Sequence, residues 1–302
     1  MSVLVVGSVA FDAIETPAGR VERTLGGAAT YFSLAASLFA PVRLVGVVGE
    51  DFTDEHAAVF ADRPIDTAGL ERRPGRTFFW AGRYSEDFSQ RTTLVTELNV
   101  FAEFRPRLPE GYRDCPLVFL GNIHPALQHQ VLEQVRRPRL VALDTMNYWI
   151  EQTPAELART LARADVLVVN DEEARQLAGR PSVRAAAEWI LERGPQAVVI
   201  KRGEHGAMLV TRRELAVVPA YPVERVVDPT GAGDSFAGGF LGALAGRRRL
   251  DGRALRQALL YGAVLGSFAV EAFGVERLRG LTRAEVDQRA RRLAALSRFR
   301  VP

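Results

Sequence analysis

Short apolar runs rich in Val, Leu and Ile alternate with helix-like stretches along most of the chain. Such continuous runs are typical of strands that are buried on both faces, as in a parallel sheet whose two sides are covered by helices. The alternation therefore predicts an α/β fold with a doubly wound, mainly parallel sheet. The predicted strands are Val3–Val6, 43–47, Leu117–Leu120, 140–143, 166–169 and 197–200.

Three helix starts carry local signals. Thr153-Pro154-Ala155-Glu156 has the form of a capping box with proline at the first helical position. Ser182 precedes an alanine-rich helix that is expected to end at Gly194-Pro195, and Thr282 caps a last helix. The Pro/Gly/Arg-rich stretches near 62–76 and 105–112 are expected to be linkers.

Residues 72–104 interrupt this rhythm, because aromatic and β-branched side chains alternate there. The alternation predicts a hairpin that forms, with residues 12–24, a small sheet outside the main layer. Such a sheet can serve as a lid over a site or as an oligomer interface, and the pattern favours neither. We therefore expect one domain, 1–302, with this lid as a subdomain, and leave open a homodimer formed through it.

The chain of 302 residues has 39 cationic side chains, of which one, Lys201, is lysine. Lys201 follows Ile200, so the chain lacks the Gly-Lys-Ser/Thr sequence of a P-loop and P-loop chemistry is excluded. Apart from residues 247–249, the arginines are interleaved with 36 acidic residues, and no nucleic-acid recognition motif accompanies them. We expect no nucleic-acid partner.

The single Cys115 cannot form an internal disulfide, as is typical of proteins in a reducing compartment. The longest mainly apolar stretch, 257–270, is shorter than the ~20 residues that a membrane span needs. We therefore expect a cytoplasmic protein that does not associate with membranes.

The most informative segment is Asp228-Pro-Thr-Gly-Ala-Gly-Asp234, which precedes a helix of small residues. A glycine-rich turn at a helix N-terminus leaves free amides that, with the helix dipole, bind anions such as phosphate. Asp234 would place a carboxylate beside that anion. The alternative is a tight turn in which Asp only caps the helix. Phe236 occupies the third glycine position of a dinucleotide fingerprint, so that motif is absent.

This segment, followed by Ser-Phe-Ala-Gly-Gly-Phe, resembles the C-terminal motif of the ribokinase-like (PfkB) family of sugar and nucleoside kinases. Further segments resemble other family motifs in the family's order and at comparable spacing. They are 7–12, Gly26-Gly27, 45–51, 170–173 and 201–206. The resemblance implies an ATP-dependent kinase that uses Mg²⁺ and transfers the γ-phosphoryl group to a hydroxyl of a small sugar.

The resemblance also implies roles for individual residues. Asp234 would take the proton from the attacking hydroxyl, and the anion hole would comprise Gly231, Ala232 and Gly233. The implied acceptor site contains Asp12, Gly26 and Gly27, and the ATP site contains Asn170, Lys201, Gly203, Gly206 and Thr230. Asn170 and Glu173 would hold Mg²⁺ through water. A monovalent cation near the Asp228 loop is left open, as is a phosphate contact by the Lys201 point charge.

Three further residues are candidates for acceptor binding. Tyr31 and Trp80 could stack on a sugar or a base, or belong to an ordinary lid core, and Asn147 could line the site. The family commonly has asparagine shortly after the glycine pair, where this chain has Thr30 and Tyr31. Substrate identity is therefore open, with a nucleoside kinase as the main alternative and a non-catalytic sugar or nucleotide sensor as a more distant one.

Two of the implied site residues also have plain structural interpretations. Asn170 could simply cap a helix whose first turn is acidic, and the Asp12 carboxylate could be satisfied by a capping amide instead of sugar hydroxyls.

Overall fold

The computed structural model describes residues 1–298, in which the apolar runs lie side by side as strands of a nine-stranded sheet. The strands of the chain are β1 (Val3–Val6), β2 (Ala10–Thr16), β3 (Gly19–Gly26), β4 (Val42–Val48), β5 (Ile65–Arg72), β6 (Phe78–Tyr84), β7 (Arg91–Glu97), β8 (Leu117–Leu120), β9 (Leu140–Asp144), β10 (Val166–Asn170), β11 (Ala197–Lys201), β12 (Ala207–Thr211) and β13 (Leu215–Val218). The helices are α1 (Ala28–Ala36), α2 (Asp54–Ala61), α3 (Pro125–Gln134), α4 (Asn147–Gln152), α5 (Pro154–Leu161), α6 (Asp171–Ala178), α7 (Val183–Leu191), α8 (Ala232–Ala245), α9 (Gly252–Ala269), α10 (Glu276–Arg279) and α11 (Arg283–Leu296).

The main sheet has the strand order β13-β12-β11-β10-β9-β8-β1-β4-β5. Neighbours from β5 through β11 are parallel, and the hairpin β12–β13 adds an antiparallel edge. The chain leaves β1 toward β4 on one side and later returns to β8 on the other. This reversal is the switch point at which open α/β sheets bind ligands, beyond the carboxyl ends of the strands. The predicted doubly wound α/β fold is confirmed.

Alternate side chains of β1 enter two different cores. Val3 and Val5 pack on the side of α1, α8 and α9, whereas Leu4 and Val6 pack on the side of α3, α5, α6 and α7. Continuous apolar character is thus required, because both faces of the strand are removed from water. The first of these cores fixes the helix α8, which carries the glycine-rich turn, against the sheet.

A second sheet of four strands, in the order β3-β2-β6-β7, follows directly from the end of β1. The strands β2 and β6 are parallel, and the two outer pairs are antiparallel. We call this the small sheet. It contains the predicted hairpin within 72–104, and its first two strands, Ala10–Thr16 and Gly19–Gly26, extend slightly beyond the predicted 12–24.

Several local predictions are confirmed and others are wrong. The predicted helix starts at Ser182 and Thr282 are confirmed, since each side chain accepts a hydrogen bond from a first-turn amide. The capping box at Thr153 is wrong, because the Thr153 hydroxyl donates instead to the Trp149 carbonyl at 3.1 Å. The linker assigned near 62–76 is also wrong, since it contains β5, an edge strand whose partly exposed, polar residues lack an apolar run. The edge hairpin β12–β13 was not predicted.

Within residues 1–298, none of the helices combines the length and the hydropathy that a membrane span needs.

Candidate active site

Polar residues end three adjacent parallel strands of the main sheet. Asp144 ends β9, Asn170 ends β10 and Lys201 ends β11. All three lie at the carboxyl edge, where ligands bind in folds of this kind. The N-terminus of α8 lies at the same edge, because Lys201 contacts Gly233 in the first turn of that helix.

The glycine-rich turn is held in one conformation by its packing. Gly231 caps α8 with a φ of 73°, a left-handed backbone that glycine adopts without strain. A side chain on Gly231 would also overlap the ring of Tyr31, which is 1% exposed. The Ala232 amide donates to the Pro229 carbonyl at 3.2 Å, whereas the two amides that follow it have no intrahelical acceptor and can donate to a bound anion. The turn thus packs directly on Tyr31, and its role as an anion hole stays a prediction.

Asp234 is the third residue of α8 and is half-buried. Burial, together with a smaller effect of the nearby Asp144 carboxylate and against the opposing effect of Lys201, raises the pKa of its carboxyl to about 7. A carboxyl with this pKa can accept a proton at neutral pH and release it again.

The only lysine of the chain lies between the sheet and α8. Lys201 Nζ is 3.8 Å from Asp144 Oδ1, and the exposed fraction of the lysine side chain is 18%. A methyl group built on Gly233 would lie 3.0 Å from Nζ, so the ammonium borders the first turn of α8. Burial alone would lower the pKa of Lys201, but Asp144 and Glu173 outweigh it and raise the pKa above its ordinary value. The lysine is therefore a fixed cation at the anion-binding turn.

Asp12 reaches the site from β2 in the small sheet and is buried. A side chain on Gly26 would overlap the Asp12 carboxylate, so this glycine makes room for it. Gly27 has a φ of 92°, and a side chain there would overlap the backbone at the start of β2. Burial, together with smaller effects of the Asp228 and Asp234 carboxylates, raises the pKa of Asp12 to about 8. Asp12 and Asp234 are therefore electrostatically coupled across the cleft.

One face of the small sheet is turned toward the α8 turn. Trp80 is in register with Asp12 across β2 and β6, and its indole ring lies against Gly82. Tyr84, four residues after Trp80 on the same face, places its hydroxyl 3.1 Å from Thr230 Oγ1. The sheet thus presents an aromatic surface beside Asp12 and contacts the loop before α8.

Asp228 fixes that loop through both of its carboxylate oxygens. Oδ1 accepts from the Thr230 amide at 2.8 Å and Oδ2 accepts from the Gly274 amide at 3.1 Å. Because the side chain is fully buried, these bonds compensate for the loss of water. The predicted ATP-site residue Thr230 is therefore held rigidly between Asp228 and the small sheet.

Asn170 and Glu173 form a reciprocal cap at the start of α6. Asn170 Oδ1 accepts from the Glu173 amide at 2.7 Å, and Glu173 Oε2 accepts from the Asn170 amide at 2.8 Å. The structural interpretation of Asn170 as a helix cap is confirmed. Burial, together with a smaller effect of Asp144 and against the opposing effect of Lys201, raises the pKa of Glu173 to about 7. Among residues 1–298 no group of three or more His, Cys, Asp or Glu side chains is arranged to hold a metal.

Three predicted site residues lie in places that do not define a role. Asn147 begins α4 and its amide donates to Gln176 Oε1 at 2.5 Å on α6. Gly203 and Gly206 form the turn between β11 and β12, where Gly206 has a φ of 87° and packs against the end of β13. Asn147, Gly203 and Gly206 therefore stay predictions.

Tyr84 was missed from the sequence, whereas Asp144 lies in the segment 143–149, which was expected to line the site but was given no role beyond the candidate Asn147. Asp144 is a carboxylate that ends an apolar strand, the same signal that singled out Asn170. Tyr84 follows Trp80 by four residues, which places both on one face of a strand. Both signals were therefore present in the sequence.

Several kinases resemble this chain in sequence or in fold. A cytidine kinase from Thermococcus kodakarensis is 31% identical over 257 residues, which cover 83% of this chain and 91% of that protein. A solved structure of aminoimidazole riboside kinase from Salmonella enterica, with aminoimidazole riboside and an ATP analog, matches with a TM-score of 0.77 at 21% identity, covering 96% of this chain and 100% of that one. The structure of Burkholderia thailandensis nucleoside kinase with inosine gives a TM-score of 0.79 at 23% identity and covers 99% and 100% of the two chains.

These structures share the ribokinase-like fold, with a large mostly parallel sheet and a smaller sheet beside its carboxyl edge. The family model of the pfkB family carbohydrate kinases matches residues 1–278. Together with the relative that is 31% identical, this match covers the main sheet, the small sheet and the glycine-rich turn. The chain is a kinase and belongs to the pfkB family of carbohydrate kinases.

Proposed function

We propose that this kinase transfers the γ-phosphoryl group of ATP to a hydroxyl of a nucleoside, with Asp234 as the general base. The observation that carries the proposal is the position of Trp80, which is in register with Asp12. A buried carboxylate for sugar hydroxyls and an aromatic face for a planar base are thereby adjacent. The cytidine kinase that is 31% identical to this chain gives the proposal independent support.

In the proposed mechanism, Asp234 accepts the proton of the attacking hydroxyl. Its pKa of about 7 suits a base that works near neutral pH. The amides of Ala232, Gly233 and Asp234 stabilise the charge on the transferred group, and Lys201 contacts the ATP phosphates. Phosphoryl transfer depends mainly on positioning and electrostatics, which a rigid helix N-terminus supplies.

The residues at the start of α6 fit magnesium that keeps most of its water. Glu173 uses Oε2 to cap the helix. Of the acidic side chains in the first turn of α6, it is the one whose charge raises the pKa of Lys201. Mg²⁺ binds through one or two carboxylates together with substrate phosphates, so a full protein cage is unnecessary. Glu173 and Asn170 would orient the metal's water ligands, and the bound ion would neutralise phosphate charge.

The small sheet acts in this proposal as a lid. Asp12 binds the sugar hydroxyls, Gly26 and Gly27 let the sugar approach the backbone, and Tyr31 supports the anion turn from below. Contact between Tyr84 and Thr230 joins the lid to the loop before α8. Closure of such a lid excludes water, which would otherwise compete for the phosphoryl group.

A coupled assay of ADP release tests the acceptor class. It compares cytidine, inosine and adenosine with ribose, fructose and 2-keto-3-deoxygluconate. We expect the highest kcat/KM with a nucleoside. Preference for a free sugar would overturn the nucleoside assignment, and no turnover with any compound would favour a non-catalytic sensor.

A pair of tryptophan variants tests the aromatic surface. Trp80→Ala should raise the KM of the nucleoside at least about tenfold, in the range of a lost base–aromatic stack, and change the KM of ribose much less. Trp189→Ala is the control, since Trp189 lies on α7 and stacks with Arg193. An equal effect of both variants would contradict a role of Trp80 in acceptor binding.

Replacement of the base tests the mechanism. Asp234→Asn should lower kcat by about 10²- to 10⁴-fold while ATP binding is retained, because the amide cannot accept the proton. Turnover near that of the wild type would rule out Asp234 as the base.

A further inference from the structure

The ammonium of Lys201 is held by a carboxylate that no sequence motif of the chain singles out. We propose that Asp144 is a positioning residue, which keeps the Lys201 ammonium beside the first turn of α8. The proposal rests on the proposed function, in which that turn binds the transferred phosphoryl group. It assigns a task to a buried acid that the mechanism above does not use.

Asp144 is itself fixed from two sides. Its backbone carbonyl accepts from Gln128 Nε2 at 2.9 Å, and the same amide donates to the Gly121 carbonyl at 2.8 Å. Gln128 thereby joins the ends of β8 and β9. Asp144 Oδ1 accepts from the Thr145 amide at 2.9 Å, and this bond sets the direction of the carboxylate. Because of these bonds, the Asp144 carboxylate has a fixed position relative to the Lys201 ammonium.

Lys201 reaches Asp144 from two strands away. Asp144 pairs with Val168 on β10, and Lys201 pairs with Asn170 on the other side of the same strand. Adjacent strands are about 4.8 Å apart, so the lysine side chain must cross the end of β10. Its Nζ stops 3.8 Å from Asp144 Oδ1, next to Gly233. The long, unbranched side chain has room to take other paths, and Asp144 selects this one.

The alternative partner of the ammonium is the proposed base. Asp144, Glu173 and Asp234 all raise the pKa of Lys201, with Asp144 the strongest of the three carboxylates. Without Asp144, the half-buried ammonium would turn toward Asp234 and engage the carboxylate that must accept a proton. A buried ion pair contributes little net stability, so positioning explains this pair better than stabilisation does.

A double-mutant cycle on the full chain tests the proposal with Asp144→Asn, Lys201→Met and the double variant. Asp144→Asn should lower kcat by about 10- to 100-fold with the KM for ATP changed less than about threefold, because the helix amides still bind the phosphates of ATP while the displaced ammonium no longer stabilises the charge of the transition state. The double variant should be no slower than Lys201→Met alone, since the effect of Asp144 passes through the lysine. Lys201→Arg provides a second background in case Lys201→Met does not fold.

Asp165→Asn is the matched control, because Asp165 links β9 and β10 at the amino edge of the sheet, opposite the site. Its Oδ2 accepts from the Val141 amide at 2.8 Å. This variant should lower the melting temperature and leave kcat unchanged. Additive effects of Asp144→Asn and Lys201→Met on kcat, or a raised KM for ATP together with a lowered melting temperature in Asp144→Asn, would overturn the proposal.

The two proposals fail in different ways. If the wild type phosphorylates no acceptor, the proposed function fails and the positioning role fails with it. If the wild type is active and the cycle is additive, only the role of Asp144 is lost.

Discussion

The hydroxyl of Tyr84 lies 3.1 Å from the hydroxyl of Thr230. Tyr84 ends β6 of the small sheet, and Thr230 lies in the loop before α8, so the contact joins the two walls of the cleft. Tyr84→Phe should lower kcat/KM for the acceptor about three- to tenfold, the effect of one lost hydrogen bond on lid closure. Tyr148→Phe on α4, whose side chain is exposed, is the control for removal of a phenol hydroxyl. Steady-state kinetics that do not distinguish the two variants would show that the contact plays no part in closure.

Gly26→Ala should damage the acceptor site. The new methyl group would overlap the Asp12 carboxylate and displace it from the cleft. We expect the acceptor KM to rise at least about tenfold, with a loss of about 1–3 kcal/mol in the free energy of unfolding, as for other overpacked sites. Gly280→Ala is the matched control, because nothing lies within 4 Å of the added methyl group there. Unchanged acceptor binding in Gly26→Ala would contradict the assignment of Asp12.

The pH dependence of turnover should report on Asp234. Its pKa is raised to about 7, mainly by burial, and the general base must be ionised to accept a proton. The value of kcat/KM for the acceptor should therefore fall as the pH decreases below about 7 and reach a plateau above it. A profile measured from pH 5.5 to 8.5 checks this. A flat profile would mean that no group with a pKa near 7 acts in the rate-determining step.

The pH dependence of stability should report on Asp12. Its pKa is about 8 in the folded protein against a reference value of 3.8, so the folded chain keeps a proton that the unfolded chain releases. The stabilisation is fully present below pH 3.8 and is lost as the pH rises toward 8, so the free energy of unfolding decreases over this range. Asp12→Asn should therefore melt a few degrees above the wild type at pH 8.5 and close to it at pH 4. Equal melting temperatures at both pH values would contradict the raised pKa.

The outer edge of the small sheet should mediate self-association. Every residue of β7 is exposed, including Leu94 and Val95, and its outer backbone groups have no strand partner within the described chain. A second copy can add its own β7 to this edge and cover these side chains. Sedimentation should show a dimer that Leu94→Lys converts to a monomer. Val217→Lys, on the exposed edge strand β13 of the main sheet, should leave the dimer intact. A wild-type monomer would exclude the interface.

Those parts of the site that depend on local backbone chemistry could be predicted from the sequence. The turn at Gly231 and the glycine pair Gly26-Gly27 are local signals, since glycine is needed where φ is positive or where another group approaches closely. The cap formed by Asn170 and Glu173 is equally local, because both partners lie within one turn. The cap was thus predicted correctly, and the roles of the two glycine segments in binding stay predictions.

The remaining parts depend on residues that are distant along the chain. Asp144 meets Lys201 only because β9 and β11 lie on either side of β10, and Tyr84 meets Thr230 only because the small sheet folds over α8. Neither relationship leaves a periodic pattern in the sequence. The edge strand β5 was missed for a different reason. One of its faces is exposed and it contains Gly69, so it lacks the continuous apolar run that is typical of the inner strands.

The burial of Lys201 has a practical consequence for experiments in solution. Because it is the only lysine, a sample enriched in ¹⁵N-lysine carries a single labelled side-chain nitrogen, and that nitrogen lies between Asp144 and the first turn of α8. Its resonance is a built-in reporter for occupancy of the cleft by a polyphosphate. The composition of the chain thus gives the active site its own probe without any substitution.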